Sequence, residues 1–237
     1  VLAARQEPLL QQVASSCQAS GARVSVMRTD VSDPQQCRQL ITTTLALCGG
    51  IDVLINNAGV SAHAMLAEVH PDDLTWYESL MRVNFWGSVW CTHAALPHLR
   101  ERQGRIVAVS SLAGLVGVPG RTAYSASKYA MTGFFEALRT ELRGSGVSVT
   151  TAYPGVVDTQ IRVNGLNAKG QTAGSSGLKE DNAMPVADCA ALILQGMWAR
   201  EREVVMTWQG KVGRWIKLIA PGLVEKMAWA ALKNPQK

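Results

Sequence analysis

Short apolar, β-branched runs alternate along the chain with longer stretches whose apolar residues recur at helical spacing. Residues 22–27 (ARVSVM) are predicted as a strand that ends at Thr29-Asp30. Residues 34–47 are predicted as a helix with Asp33 as its N-cap. Residues 51–55 (IDVLI) form an apolar run of the buried-strand type, closed by Asn56-Asn57-Ala58-Gly59. A long helical region follows at 72–99, with a break expected at 84–87. Residues 105–109 (RIVAV) are the next strand, ending at Ser110-Ser111. Residues 123–143 are a strong helix, with Ala130, Phe134, Leu138 and Leu142 near one face and Gly144 and Gly146 closing it. A strand at 147–152 stops at Pro154-Gly155, a helix covers 186–200, and 203–207 (EVVMT) is the last strand.

Strands that alternate with helices define an α/β protein with a parallel sheet and helices on both faces. In such folds ligands bind beyond the carboxyl ends of the strands. The polar residues at those ends are Asp30, Asn56-Asn57, Ser110-Ser111 and Pro154-Gly155 with Thr159, which are residues able to do chemistry. Residues 164–182 are rich in Gly, Ser and Asn. A flexible cover over an active site and a plain surface excursion both fit that composition.

Composition changes this picture little, and charge changes it more. The 237 residues are 47% hydrophobic and 17% charged, enough for a sizeable core and unlike a disordered chain. The five cysteines (Cys17, Cys37, Cys48, Cys91, Cys189) form no C-x-x-C pair and are read as apolar filler in a reducing, cytoplasmic setting; no metal site is expected. The net charge is +5. From Trp208 onward stand Lys211, Arg214, Lys217, Lys226, Lys233 and Lys237 against Glu225 alone, so the preceding body is neutral. A nucleic-acid protein would spread basic surface over its folded body, so no nucleic-acid partner is expected. We divide the chain into a domain at 1–207 and a basic, Trp-containing helical tail at 208–237. Trp208, Trp215 and Trp229 sit there among Ile216, Ile219, Leu223, Val224 and Met227, and Pro221-Gly222 splits it into two helical pieces. Such a tail can lie on an anionic membrane surface. It can equally pack on its own subunit or on a second copy in a homo-oligomer and cover the substrate mouth, which is the preferred reading.

The candidate chemistry centres on Tyr124-Ser-Ala-Ser-Lys128 at the start of a helix, where residues i and i+4 share a face. A tyrosine exchanges protons poorly near neutral pH unless a cation favours its phenolate, and Lys128 is placed to do that. Ser111 ends a strand 13 residues earlier and can polarise a carbonyl or hold an alcohol. Asn84 interrupts an apolar helix; a satisfied kink and a functional amide both account for it.

These residues resemble the short-chain dehydrogenase/reductase family. The matching set is Asn56-Asn57-Ala58-Gly59, Asn84, Ser111, Tyr124-x-x-x-Lys128 and Pro154-Gly155-Val156-Val157-Asp158-Thr159, in the family's order. The resemblance implies a Rossmann-like, doubly wound fold and a catalytic tetrad of Asn84, Ser111, Tyr124 and Lys128, with a water relay held by the lysine and asparagine. It implies that Asp30 and Val31 lie beside the adenine. Asn57, Ala58 and Gly59 would run along the adenosine side, and Pro154, Gly155, Val157 and Thr159 would flank the nicotinamide. A likeness to the hydroxysteroid-dehydrogenase-like branch is less specific.

The family opens with a strand and a Gly-rich turn into a helix that receives the pyrophosphate. Nothing of that kind precedes Val1, and Gly49-Gly50 stand before a strand, so the first strand and helix are expected to be absent and cofactor binding by this chain to be impaired. Residues 1–5 resemble the family's second strand. Ala4 stands where a carboxylate would reject a 2′-phosphate, and Arg5 follows, so NADP(H) is expected with Arg5 on the phosphate. NAD stays open, since Arg5 also reads as an ordinary strand-end charge. The residues after Ser111 and Pro154 are mostly apolar, which suggests a small hydrophobic carbonyl or secondary alcohol as substrate. A sugar-nucleotide epimerase or dehydratase shares Tyr-x-x-x-Lys but usually carries a larger C-terminal domain. A non-catalytic scaffold on the same fold is the remaining alternative.

Overall fold

The computed structural model describes residues 1–176, 178 and 183–232. Strands and helices alternate in the order β1 (Leu2–Ala4), α1 (Glu7–Ala19), β2 (Val26–Arg28), α2 (Pro34–Cys48), β3 (Val53–Asn56), α3 (Thr75–Met81), α4 (Gly87–Glu101), β4 (Arg105–Val109), α5 (Thr122–Glu141), β5 (Ser148–Tyr153), α6 (Val186–Trp198), β6 (Glu203–Val205), α7 (Trp208–Ile219) and α8 (Pro221–Ala230). Every strand pair is parallel. β3-β4-β5-β6 form one sheet in that order and β1-β2 form another.

The centre of the larger sheet is apolar because helices cover both of its faces. Ile106, Val107 and Ala108 of β4 are fully buried, as are Thr151 and Ala152 of β5. Ile41 of α2, Ala95 and Leu99 of α4, and Met131, Phe135 and Leu138 of α5 join Ile106, Ala108 and Val149 in one core. The N-cap of α2 is the one the sequence suggests, and its C-cap is a glycine. The Asp33 carboxylate accepts the Gln35 N–H at 2.8 Å, Pro34 opens α2, and Gly49 closes it in the left-handed region at φ 71°. On α5 the buried positions include Tyr124, Lys128, Met131, Phe135 and Leu138, so the candidate chemistry rides on the helix face that packs the core.

Some expected elements shift. The strand expected at 22–27 occupies Val26–Arg28 only, and α1 has no counterpart among the expected elements. Only Leu10 and Ala14 of α1 are buried, so its apolar stripe is narrow. The long helical region breaks where expected: Arg82–Trp86 is a π-turn between α3 and α4. The described part of 164–182, for which a flexible cover and a plain surface excursion were both expected, makes long-range hydrogen bonds. Leu166 N donates to Ser61 O at 2.9 Å, His63 N to Leu166 O at 2.7 Å, and Trp76 Nε1 to Ala168 O at 3.2 Å. These bonds pin the segment to 61–64 and α3; residues 177 and 179–182 lie outside the described residues.

The sheets part between β1 and β3. β1 and β3 share no ladder, and each keeps one unpaired edge among the described residues. Ile55 is 44% exposed on that edge. α2 bridges the gap, following β2 in the chain and packing on α4.

Candidate active site

The π-turn between α3 and α4 carries Asn84 into the interior with no solvent exposure. Its Oδ1 accepts Val60 N–H at 2.7 Å, and its Nδ2 donates to Val60 O and to Ser127 Oγ, both at 2.9 Å. Asn84 thus clamps the chain just past Asn56-Asn57-Ala58-Gly59 and ties it to α5. Both readings of its amide meet in this geometry: the kink is fully satisfied, and it joins two segments of the site. Asn56 anchors the same segment from below, donating from Nδ2 to Thr92 Oγ1 at 2.9 Å.

Tyr124 and Lys128 lie one turn apart on the buried face of α5, and Ser127 Oγ donates to Tyr124 O at 2.8 Å. The Lys128 Nζ sits 5.8 Å from the Tyr124 ring centre and donates to Val109 O at 2.9 Å at the end of β4. Burial pushes the Lys128 pKa down; the Tyr124 oxygen works against this and the Arg121 charge adds to it. The Tyr124 hydroxyl makes no hydrogen bond among the described residues and is not a buried atom in want of a partner, so it opens to the surface.

Ser111 caps the short turn at Leu112–Gly114, its Oγ accepting Ala113 N–H at 3.2 Å and keeping its own proton to donate. The neighbouring Ser110 Oγ donates to Lys128 O at 3.2 Å, which binds the end of β4 to α5. A Cβ on Gly114 would come within 2.6 Å of Ser110 Oγ and 2.8 Å of Lys128 O, so only glycine lets this turn lie flat on the helix.

Two residues of the site are not legible from motif reading. Arg121 is 8% exposed, and its guanidinium lies 4.3 Å from the Tyr124 ring centre. It donates to Ser61 Oγ, and its Nε is buried without an acceptor. Burial holds its pKa down. An arginine three residues before the tyrosine is the one signal for it in the sequence. Arg28 is the other. It ends β2 opposite Ala4 and, with Arg5, Gln6, Glu7, Pro8 and Leu9, lines an open cleft of about 530 Å³. The strand expected from the sequence stops at Met27, one residue short of this cation.

The remaining expected contacts stand at or beyond the carboxyl ends of the strands. Asp30 turns its carboxylate into its own loop, where Oδ1 accepts Ser32 N–H at 2.9 Å. Val31 packs against Gly87, where a Cβ would approach its carbonyl to 2.8 Å. Asn57 and Ala58 are exposed, and Gly59 lies beside Asn84 Oδ1 and Lys128 Nζ. Pro154 O accepts Leu112 N–H at 2.9 Å, Gly155 faces Thr207 and Leu112, Val157 is buried and Thr159 is half-buried.

These residues fit both ends of a nicotinamide dinucleotide. Lys128 spends one donor on a carbonyl and a weak contact on Met131, leaving capacity for a ribose hydroxyl beside the unbonded Tyr124 hydroxyl. Arg5 and Arg28 offer charge at the far end. For the pyrophosphate between them, no Gly-x-Gly run follows a strand among the described residues. No group of three or more His, Cys, Asp or Glu able to hold a metal occurs among them either.

A doubly wound parallel fold with a buried Tyr-x-x-x-Lys pair defines a class of protein. Residues 1–169 match the short chain dehydrogenase family, and the chain belongs to it. It is 36% identical over 231 residues to an 11-beta-hydroxysteroid dehydrogenase A of Arachis hypogaea, covering 94% of this chain and 65% of that protein. It is 31% identical over 233 residues to dehydrogenase/reductase SDR family member 7B of Mus musculus, covering 98% of this chain and 71% of that one. The chain therefore spans somewhat less than two thirds of the length of the Arachis relative. A short chain dehydrogenase/reductase of Burkholderia phymatum, solved in complex with NAD, shares the fold at a TM-score of 0.80 and 24% identity, over 100% of this chain and 86% of that one.

Proposed function

We propose that the protein to which this chain belongs is an NADP(H)-dependent oxidoreductase that interconverts an apolar carbonyl and the matching secondary alcohol, with Tyr124 as acid/base. The observation that carries this is the Tyr124 ring beside two buried cations, Lys128 at 5.8 Å and Arg121 at 4.3 Å. When bound, the nicotinamide supplies or receives the hydride at the substrate carbon. In the reducing direction the Tyr124 hydroxyl gives its proton to the carbonyl oxygen, and the phenolate left behind is stabilised by the two cations. Ser111 donates a hydrogen bond to the same oxygen, and Lys128 holds the ribose while solvent returns the proton to Tyr124.

Arg5 and Arg28 at one cleft support NADP(H) over NAD, since paired guanidinium donors suit a 2′-phosphate. Leu112, Leu115, Val116 and Val118 beyond Ser111 support an apolar substrate. The five free cysteines support a reducing cytoplasmic compartment. The exposed Trp86, stacked 5.8 Å from Trp90, supports contact with a second copy in a homo-oligomer. The intact buried network favours catalysis over a scaffold role.

The test is NADPH and NADH consumption by the full-length protein against a panel of apolar ketones and aldehydes. Turnover should favour NADPH, and Arg5→Ala with Arg28→Ala should raise the KM for NADPH at least tenfold while leaving that for NADH unchanged. A parent enzyme that prefers NADH, or turns over only small charged carbonyls, overturns the corresponding half of the proposal.

A further inference from the structure

Helix α7 reverses the usual amphipathic pattern. Gly210, Arg214 and Lys217, at spacings of 4 and 3, share the face that packs on the protein. Thr207 caps the helix, its Oγ1 accepting Gly210 N–H at 3.1 Å. Gly210 lies so close to Leu112 that a Cβ would overlap it, and Leu112 also faces Gly155. Arg214 Nη1 pairs with the Glu203 carboxylate at 2.6 Å, which fixes the rotation of the helix. Lys217, half-buried in the last turn, donates to Leu115 O at 2.9 Å and to the Tyr129 hydroxyl at 2.5 Å. The Tyr129 hydroxyl donates in turn to Leu115 O at 2.5 Å.

These contacts reach both halves of the candidate active site. Leu112 opens the turn that Ser111 caps, and Leu115 closes it. Within it Gly114 N–H donates to Ser111 O at 2.8 Å, Leu115 N–H to Leu112 O at 3.0 Å, and Ala113 N–H to Ser111 Oγ at 3.2 Å. A shift at Leu115 is therefore passed to the Ser111 hydroxyl. Tyr129 follows Lys128 on α5, the helix that carries Tyr124. Lys217 thus stands where the Ser111 turn meets α5, and a hydrogen bond from a cation is the stronger kind of tie. Helix α7 lies beyond residue 169, where the family match ends, so this tie comes from outside the matched residues.

We propose that Lys217 is a positioning residue for the reaction: by tying α7 to Leu115 and Tyr129 it fixes the Ser111 hydroxyl relative to the Tyr124 hydroxyl. It acts through Ser111 and touches no reacting atom. This role rests on the oxidoreductase reading above, in which both hydroxyls must meet one substrate oxygen.

Steady-state kinetics and cofactor binding of the full-length protein decide. Lys217→Met should lower kcat for a carbonyl at least ~10-fold, because a small misplacement of a reacting group is costly, while the Kd for NADPH stays unchanged. In a Ser111→Ala background the same change should have almost no effect, since the hydroxyl it positions is gone. A merely structural lysine would cost the same in both backgrounds. Tyr129→Phe removes a single hydroxyl from the same tie and serves if the methionine variant does not fold; its loss should be roughly threefold and should also vanish without Ser111. Hydrogen exchange reads the tie without turnover: the Gly114, Leu115 and Val116 amides should exchange at least ~10-fold faster in Lys217→Met, with β4 unchanged. An unchanged kcat, an equal loss with and without Ser111, or unchanged exchange in the turn each overturns the proposal. A parent that binds NADPH and turns over no carbonyl sinks the oxidoreductase reading and the catalytic role of Lys217 with it, while the exchange data still decide whether Lys217 holds the turn.

Discussion

At the scale of single residues, Tyr124 stands beside two cations that cost stability. The Lys128 pKa is depressed in the fold, so in the window between that value and the ordinary lysine value the unfolded chain binds more protons, and stability rises with pH there. Below the depressed value the penalty is fully present. Lys128→Met should therefore abolish turnover yet raise stability at neutral pH by about 1–3 kcal/mol, as replacement of buried charge often does. A thermal melt checks this, and a lowered Tm would refute it. Arg121→Met should lower kcat roughly thirty-fold, the worth of about 2 kcal/mol for a desolvated cation on a ring, with KM little changed. Arg121→Lys should restore part of it, and steady-state kinetics decide. The Tyr-x-x-x-Lys spacing and Asn84 stood out in the sequence through the family resemblance, since the spacing alone is common in helices and the amide alone reads as a kink. Arg121 and Arg28 did not, since an arginine at a helix start or a strand end reads as surface charge until the fold shows its surroundings.

At the scale of elements, two glycines set the site. Gly114 lets the turn after Ser111 lie on α5, and Gly114→Ala should cost about 1–3 kcal/mol by overpacking against Ser110 and the Lys128 carbonyl. The same change should depress kcat by shifting Ser111 against Tyr124; chemical denaturation and kinetics on one sample test both. Gly87 plays this part for Val31 at the other end of the site. Helix α2, the broken helix around Asn84, β4 and α5 follow the sequence closely, for their caps and periodicities are strong. Helix α1 was not foreseen because its buried face is two residues wide. The Gly- and Ser-rich composition of 164–176 concealed its order. What pins it is backbone pairing with Ser61 and His63 and the Trp76 indole bond, and these long-range partners leave no local pattern.

At the scale of the whole molecule, alternation of strands and helices was enough to give the parallel fold, and the described strands fall into two sheets that part between β1 and β3. Hydrogen exchange on the 237-residue chain should show the consequence. Amides of β4 and β5, buried between two neighbours, should exchange slowest, and those of the three-residue β1 and β2 far earlier. Equal protection of both sheets would contradict a divided sheet. The central claim, that Tyr124 moves the proton in a nicotinamide-dependent reaction, concerns the full-length protein with its cofactor. The most direct measurement pairs NADPH binding with carbonyl turnover in the parent and in Tyr124→Phe. The variant should bind NADPH with an unchanged Kd and lose kcat by roughly 10²–10⁴, the worth of a positioned general acid. A Tyr124→Phe enzyme that binds NADPH and retains kcat within tenfold of the parent would contradict it.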